Sequence, residues 1–516
     1  MKMAVHSVAE EAITAADGER PNVLRACRIG IETHHEAIAF ARKDCPVCRA
    51  EGFTSHARIR LTLGRRSIIA TLYQITSDLL QPGELGLSES AWKRLGPADG
   101  NEVAVSHPPV VESFGAVRGK VYGRRLQADA AEAIVEDVLA GRYSDIQLSS
   151  FLTACAARPL DLDETVALTA AMANIGNRLT WPVRPVLDKH CVGGLPGNRT
   201  TPIVVAIVAA CGLAIPKTSS RAITSPAGTA DTMETMAPVD LDLTAMRRVV
   251  EREGGCVVWG ETVRLSPVDD LLIRVERALD LDNGGQLVAS VLSKKVAAGA
   301  THLLIDMPIG ETAKVRSRED AALLQKYLTE VAAAFGIEAK VLVSDGSQPI
   351  GRRIGPALEA RDVLAVLRQE PNAPIDLCEH SLALAGALLE LGGTEPGRGY
   401  ETAQAALAGG SAWRKFQNIC EAQGGMRQPP LAKQTRPITA KSDGRVRRID
   451  NRRLARLAKL AGAPDAKAAG VEMLVRVDDR VSAQQPLFTV HAETCGELAY
   501  AMDYLAANAN IIGLEY

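Results

Sequence analysis

Asp188, Lys189 and His190 form one run just ahead of glycines 193, 194 and 197. A cation and an imidazole followed by a glycine turn suit an anion. Glycines let the backbone approach a phosphate closely, and a following helix offers unpaired N–H groups carrying partial positive charge. Residues 217–229 add six hydroxyls, from Thr218, Ser219, Ser220, Thr224, Ser225 and Thr229, with Arg221 among them. The candidate phosphate ligands are therefore Lys189, the backbone at Gly194, and the hydroxyls of Thr201, Ser219 and Thr229. The stretch Ser220, Arg221, Thr224 and Ser225 has donors for a second phosphate, such as one on a nucleotide. The turn is neither GxGxxG nor GxxxxGK[ST], so alone it reads equally as a tight strand-to-helix connection. Any single hydroxyl reads as a helix cap; the set reads as a site.

These residues need a strand, a turn and a helix to position them. A short apolar run at 183–187 predicts the strand, and the apolar segment 202–213 predicts a buried helix. Further apolar strands at 255–259, 302–307 and 338–343 alternate with helices such as 319–335, which implies a largely parallel sheet covered on both faces. A longer helix, 285–299, interrupts the series. On it Ser290 and Lys294 stand at i and i+4, hence on one face, and Arg274 precedes it. Upstream, Ser144 with Gln147 and Asp161 with Glu164 make capping boxes ahead of helical patterns, the second covering about 162–175. The expected fold class is α/β and multidomain. It comprises an N-terminal mixed, β-rich domain (1–100), a linker (101–113), a small helical domain (114–182, completed by about 270–299), a large α/β phosphate-binding domain (183–432) and a C-terminal α+β, barrel-like domain (433–516).

The run Asp188-Lys189-His190, with Gly193-Gly194, Ser219-Ser220-Arg221 and Gly228-Thr229 followed by Asp231, resembles the signature of a nucleoside phosphorylase family. That family contains thymidine phosphorylase, pyrimidine nucleoside phosphorylase and archaeal AMP phosphorylase. The wording GGLPGNRTT and KTSSRAITSPAGTADT is similar to its long, type 2 group, and the likeness extends over residues 119–516. The resemblance implies a phosphorolytic pentosyltransferase turning thymidine and phosphate into thymine and 2-deoxy-α-D-ribose 1-phosphate. The alternative within the family is a nucleoside 5′-monophosphate phosphorylase releasing ribose 1,5-bisphosphate; a catalytically silent phosphate or nucleoside binder is a third reading. Carried over residue by residue, the resemblance makes Lys189, Thr201 and Thr229 phosphate contacts and Arg274, Ser290 and Lys294 base contacts. His190 has the chemistry to hydrogen-bond a base carbonyl. From AMP phosphorylases, Asp282 matches a general acid to the leaving base and Lys314 a residue of the nucleotide site. Asp282 also reads as a turn residue before Gly284-Gly285. Where the family usually has Ser after Lys-His this chain has Cys191, a poor donor.

A net charge of −2 with Lys and Arg spread along the chain suggests neither nucleic acid nor a membrane surface as partner. The N-terminal residues lack a signal peptide's apolar core and no apolar run spans a bilayer, so the expected location is cytoplasmic. Ten scattered cysteines make no disulfide framework. Cys45 and Cys48 form a CxxC near Cys27, His34, His35 and His56, but no second pair completes a zinc set, so no metal is expected and the thiols read as structural. No cofactor is expected; inorganic phosphate is the co-substrate. The resemblance implies a homodimer or larger homo-oligomer. The C-terminal turn at 477–480 lacks the lysine a carrier domain would modify.

Overall fold

The computed structural model describes residues 22–515 except 223, 224, 280, 282 and 283. Two candidate residues, Thr224 and Asp282, lie outside the described residues. The chain divides into two compact units, Met1–Glu112 with Ala140–Tyr143, and Ser113–Leu139 with Ser144–Tyr516.

The first unit is built on six strands: β1 (Val23–Arg28), β2 (Ile38–Arg42), β3 (Arg58–Leu63), β4 (Arg66–Ile75), β5 (Glu84–Leu87) and β6 (Glu102–Ser106). They close into a barrel in the order β1-β5-β2-β4-β3-β6. Period-2 alternation turns Leu24, Ala26, Ile59, Leu61, Val103 and Val105 into its core. The segment expected to be a linker from residue 101 thus begins with a barrel strand: Val103 and Val105 alternate inward and β6 pairs with both β1 and β3. Cys45 and Cys48 are free thiols buried in this core.

In the second unit, both capping boxes form, Ser144 with Gln147 and Asp161 with Glu164. The Gly284–Ala297 helix packs on the Leu162–Asn174 helix. The approach is close because residue 285 is glycine: a Cβ there would lie 2.8 Å from Leu160 Cβ and 3.0 Å from Thr165 Oγ1. Beyond this helical part come β7 (Leu187–Cys191), β8 (Ile215–Ser219), β9 (Gly255–Trp259), β10 (His302–Ile309) and β11 (Glu338–Asp345). Every pairing among them is parallel, but they form two short sheets, β11-β10-β7 and β8-β9, joined by the bridge Val186 to Ala214. The helix Thr201–Ala210, TPIVVAIVAA, is buried almost all round in the core behind them; Pro202 is tolerated because it sits in the first turn.

Past residue 432 two antiparallel sheets pack with the Asn451–Leu460 and Cys495–Ala507 helices. One is β12-β15-β17-β13, with β12 (Arg353–Ile354), β13 (Gln434–Thr439), β15 (Gly470–Met473) and β17 (Pro486–Ala492). The other is β16-β14-β18, with β14 (Gly444–Ile449), β16 (Arg480–Val481) and β18 (Ile512–Glu515). The expected barrel-like form is therefore a pair of sheets, one of which borrows β12 from ahead of residue 432.

Candidate active site

Strand β7 carries Asp188 and Lys189 into the interior, where each is only 1% exposed. Buried charges require partners, and both have them. The Asp188 carboxylate lies between two ammoniums, Lys295 Nζ at 2.7 Å and Lys217 Nζ at 3.5 Å. The Lys189 ammonium donates to Thr200 Oγ1 at 2.7 Å and faces Asp306 Oδ2 at 3.8 Å. Thr200 is the residue at which the Thr201–Ala210 helix begins, so the cation is fixed at that helix N-terminus.

Asp306, on β10 and fully buried, is the hub of the next layer. Asn198 Nδ2 donates to it at 2.9 Å and Ser344 Oγ at 3.1 Å, and His380 Nε2 lies 3.2 Å away. Burial pushes the Asp306 carboxyl upward, but the His380 hydrogen bond and the Lys189 charge outweigh it and hold the group well below the usual range. Asn198 also reaches Cys191 Sγ at 3.4 Å. Burial, reinforced by the Asp306 charge, pushes the Cys191 thiol up to about 12, so it stands as a neutral group.

The charge balance favours an anion. Burial, then the charges of Lys295, Lys217, Lys294 and Lys189, hold the His190 imidazole neutral, far below its ordinary value. Lys217 is pushed down to about 7, by burial first and by Lys295 and Lys189 besides, against the pull of Asp188. Ser219 ends β8 with a buried hydroxyl that has no hydrogen-bond partner among the described residues.

The glycine turn meets a second segment. Gly194 has φ of +84°, and a Cβ on it would lie 2.3 Å from the Lys314 amide nitrogen, so Lys314 is brought against the turn. Arg199, inside the turn, donates to Glu359 Oε2 at 2.7 Å, Thr229 Oγ1 at 2.7 Å and Ala227 O at 2.8 Å. Thr229 is thereby tied to the turn, and Thr201 is buried at the helix start. The backbone around Ala222 and Gly228 folds over Asp231, whose Oδ2 accepts from those two amides at 2.7 and 2.9 Å. The Ser220 carbonyl accepts from Ala230 N, and Ser225 Oγ donates to Ala227 O. Arg221 is already occupied: it spans Glu234 with two bonds of 2.8 Å, reaches Asp231 and Asp240, and lies 4.5 Å over the Trp259 ring. A phosphate would have to displace those carboxylates.

On the helical side, Lys294 pairs with Asp269. Burial opposes its charge, but Asp269 and Asp270 outweigh this and raise the ammonium. Asp270 is pushed up to about 7 by burial and by neighbouring Asp269 and Glu261. Ser290, one turn before Lys294, is half-buried. Arg274 points elsewhere, at Asp145 Oδ1, 2.5 Å away.

Sequence reasoning did not name Asp306, His380, Arg199 or Glu359. Asp306 had a signal, as the one carboxylate in the apolar strand HLLIDMPI; the others had none until the chain was folded.

Three segments match described families. Residues 116–176 match "Glycosyl transferase family, helical bundle domain", residues 183–413 "Glycosyl transferase family, a/b domain", and residues 445–512 "Pyrimidine nucleoside phosphorylase C-terminal domain". The chain is 60% identical over 493 residues to the "Putative thymidine phosphorylase" of Polaromonas sp. (strain JS666 / ATCC BAA-500), covering 95% of this chain and 96% of that one. The chain belongs to the thymidine phosphorylase family. A second member, "Putative thymidine phosphorylase 1" of Acidovorax sp. (strain JS42), is 61% identical, with 93% of this chain and 94% of that one covered. As a member of the thymidine phosphorylase family the chain is a pentosyltransferase, with nucleoside phosphorylase activity. Its fold is shared more widely. Anthranilate phosphoribosyltransferase from Thermus thermophilus superposes with a TM-score of 0.51 at 20% identity, covering 60% of this chain and 99% of that one.

Proposed function

We propose that the enzyme is a thymidine phosphorylase, transferring the 2-deoxyribosyl group of thymidine to inorganic phosphate. The observation that carries this reading is the cluster of buried lysines beside the glycine turn, Lys189, Lys217 and Lys295, with a Ser219 hydroxyl that has no partner among the described residues. On this reading phosphate is held by Lys189, the Gly194 backbone and the hydroxyls of Thr201, Ser219 and Thr229. One of its oxygens forms a bond to the anomeric carbon as the bond from that carbon to the ring nitrogen breaks, and the electron pair leaves with thymine. The protein's task is positioning and charge stabilisation. Neutral His190 donates to a base carbonyl, and Lys294 and Ser290 offset the negative charge left on the ring. Phosphate groups and base groups come from different parts of one unit, so the substrates meet between them with water excluded.

A second reading, phosphorolysis of a nucleoside 5′-monophosphate, is favoured by one observation: the backbone of Lys314 packs on Gly194, so a lysine residue starts from the turn. One experiment tests both readings. Purified protein with inorganic phosphate is given thymidine, uridine, cytidine, AMP and CMP separately, and base release is followed. Release from thymidine and not from the nucleotides is the expected result; release only from a nucleotide would sink the thymidine reading and establish the other.

A further inference from the structure

A second concave, positively charged site lies away from the lysine cluster, where the chain leaves the α/β part for the C-terminal sheets. It is a pocket of about 640 Å³ lined by Arg353, Arg361, Arg368 and Arg427, with Glu370 the one acidic residue among the described residues of its wall. Its construction follows from the Pro356–Leu367 helix, whose last turns carry Arg361, Leu364 and Ala365. Spacing of three and four puts these on one face, and Arg368 falls one turn further on the same side. The opposite wall is the segment after the Ser411–Ala422 helix, with Met426, Arg427 and Pro429.

The guanidiniums differ in how far they are answered. Arg353 is satisfied by Asp362 and Glu472, each at 2.8 Å. Arg368 lies on the Trp413 ring at 4.9 Å with Glu370 no nearer than 3.6 Å. Arg427 donates to the Glu234 carbonyl at 3.2 Å. Arg361 is half-buried and its side chain donates to the Pro430 carbonyl. Neither Arg361 nor Arg427 has a carboxylate within ion-pair distance among the described residues. Burial and the neighbouring Arg353 push the Arg361 guanidinium below its ordinary value, outweighing the opposing pull of Glu472, as expected where cations are gathered and partly desolvated. Arginines of this kind present planar forks suited to phosphate. The volume is in the range of small-molecule sites, about 300–1,000 Å³. Leu364, Met426 and Pro429 provide an apolar wall for a planar group beside the charge.

We propose that this pocket is a second ligand site, which takes a phosphorylated small molecule of about nucleotide size. It contains none of the catalytic lysines but is tied to the glycine turn through one element. The helix bearing Arg361 also bears Glu359, the carboxylate that holds Arg199 and, through it, Thr229. An anion gripped by Arg361 and Arg368 therefore bears on the helix that anchors the glycine turn.

The test is calorimetric titration of the full-length protein with ADP, and separately with inorganic pyrophosphate, in magnesium-free buffer at low and high salt. Three variants are titrated alongside: Arg361→Gln with Arg427→Gln, Arg368→Gln alone, and Gly194→Ala, which disturbs the glycine turn. The expected result is saturable ADP binding that weakens at least about tenfold in the double variant. A smaller loss follows in Arg368→Gln, no change in Gly194→Ala, and weaker binding at high salt. Phosphorolysis by the double variant without ADP should match that of the parent enzyme. Binding abolished by Gly194→Ala and kept by the double variant would assign the ligand to the catalytic site and overturn the proposal. So would the absence of any saturable heat at millimolar ADP and pyrophosphate. Because Arg368 is exposed, its single variant keeps the test decisive if the double variant melts early.

Discussion

Replacing Asp306 by Asn removes one charge and almost no volume, which isolates what that charge does. Asp306 is fully buried and is the nearest carboxylate to the Lys189 ammonium among the described residues, at 3.8 Å. At about 4 Å and an effective dielectric of about 20, the pair is worth roughly 4 kcal/mol. Removing one partner of a buried pair typically costs about 3–5 kcal/mol, because the other charge is left unanswered. The amide also fits its surroundings badly. Oδ2 accepts from Asn198 and Oδ1 from Ser344, so in either orientation the new NH₂ group meets a donor. The expected loss of stability for Asp306→Asn is therefore about 3–5 kcal/mol, measured by urea unfolding at neutral pH. The KM for phosphate should rise as well, because a Lys189 that has lost its counter-charge is no longer held in place. Ser344→Ala, which deletes only one hydrogen bond to the same carboxylate, should cost about 1 kcal/mol. The pH dependence has a definite sign. A carboxyl held below its ordinary value contributes stability above that value, about 3.9, and loses it as pH falls further. The gap between parent and variant should be full at neutral pH and close in acid. A loss under about 1 kcal/mol with an unchanged phosphate KM would refute the role given to Asp306 as the counter-charge that keeps Lys189 in place.

Other perturbations read other parts of the site. Gly194→Ala meets both a left-handed φ of +84° and the Lys314 amide 2.3 Å from the new Cβ, whereas Gly193, at +95°, has open space. Backbone strain of about 1–2 kcal/mol is common to both, so Gly194→Ala should lower kcat/KM for phosphate by at least about tenfold more than Gly193→Ala; equal effects would mean that the contact with Lys314 is immaterial. Lys217, pushed down to about 7 from an ordinary 10.5, should regain its proton when phosphate arrives. Titrations near pH 8 in buffers of different ionisation enthalpy should therefore show uptake of a fraction of a proton, up to about one, per phosphate bound, and buffer-independent heats would contradict this. Arg199→Lys keeps the charge but loses the fork that joins Glu359, Thr229 and Ala227. It should destabilise by about 1–3 kcal/mol and raise the phosphate KM, while an unchanged KM would detach Thr229 from the site.

Much of the scaffold is legible because it is written locally. Both capping boxes, the helix after Gly193 and Gly194, and the parallel pairing of alternating strands follow from spacing of three, four or two residues; the strand before the turn is Leu187–Cys191, which shares only Leu187 with the expected 183–187, because the run Asp188-Lys189-His190 itself pairs with β10. Ser290 and Lys294 fall on one helix face for the same reason. The segment at 101–113 reads as a linker because of the pair Pro108 and Pro109, while the alternation of Val103 and Val105 that makes β6 spans only five residues.

Charge compensation is the part that local reading could not supply. Lys189 and Arg221 look alike in the sequence, each a cation close to hydroxyls and glycine. In the fold they diverge, because of carboxylates placed by tertiary structure. Arg221 meets Glu234 and Asp231, only 13 and 10 residues away, and its guanidinium is saturated. Lys189 pairs with Asp306, more than a hundred residues on, and that carboxylate is shared with Asn198, Ser344 and His380. A cation whose counter-charge is divided among several donors keeps attraction to spare for a ligand; one gripped by two bonds of 2.8 Å does not. On that argument Lys189 is the cation for phosphate and Arg221 is the clasp that closes its own segment over Asp231, a distinction that rests on where the acids fall in space.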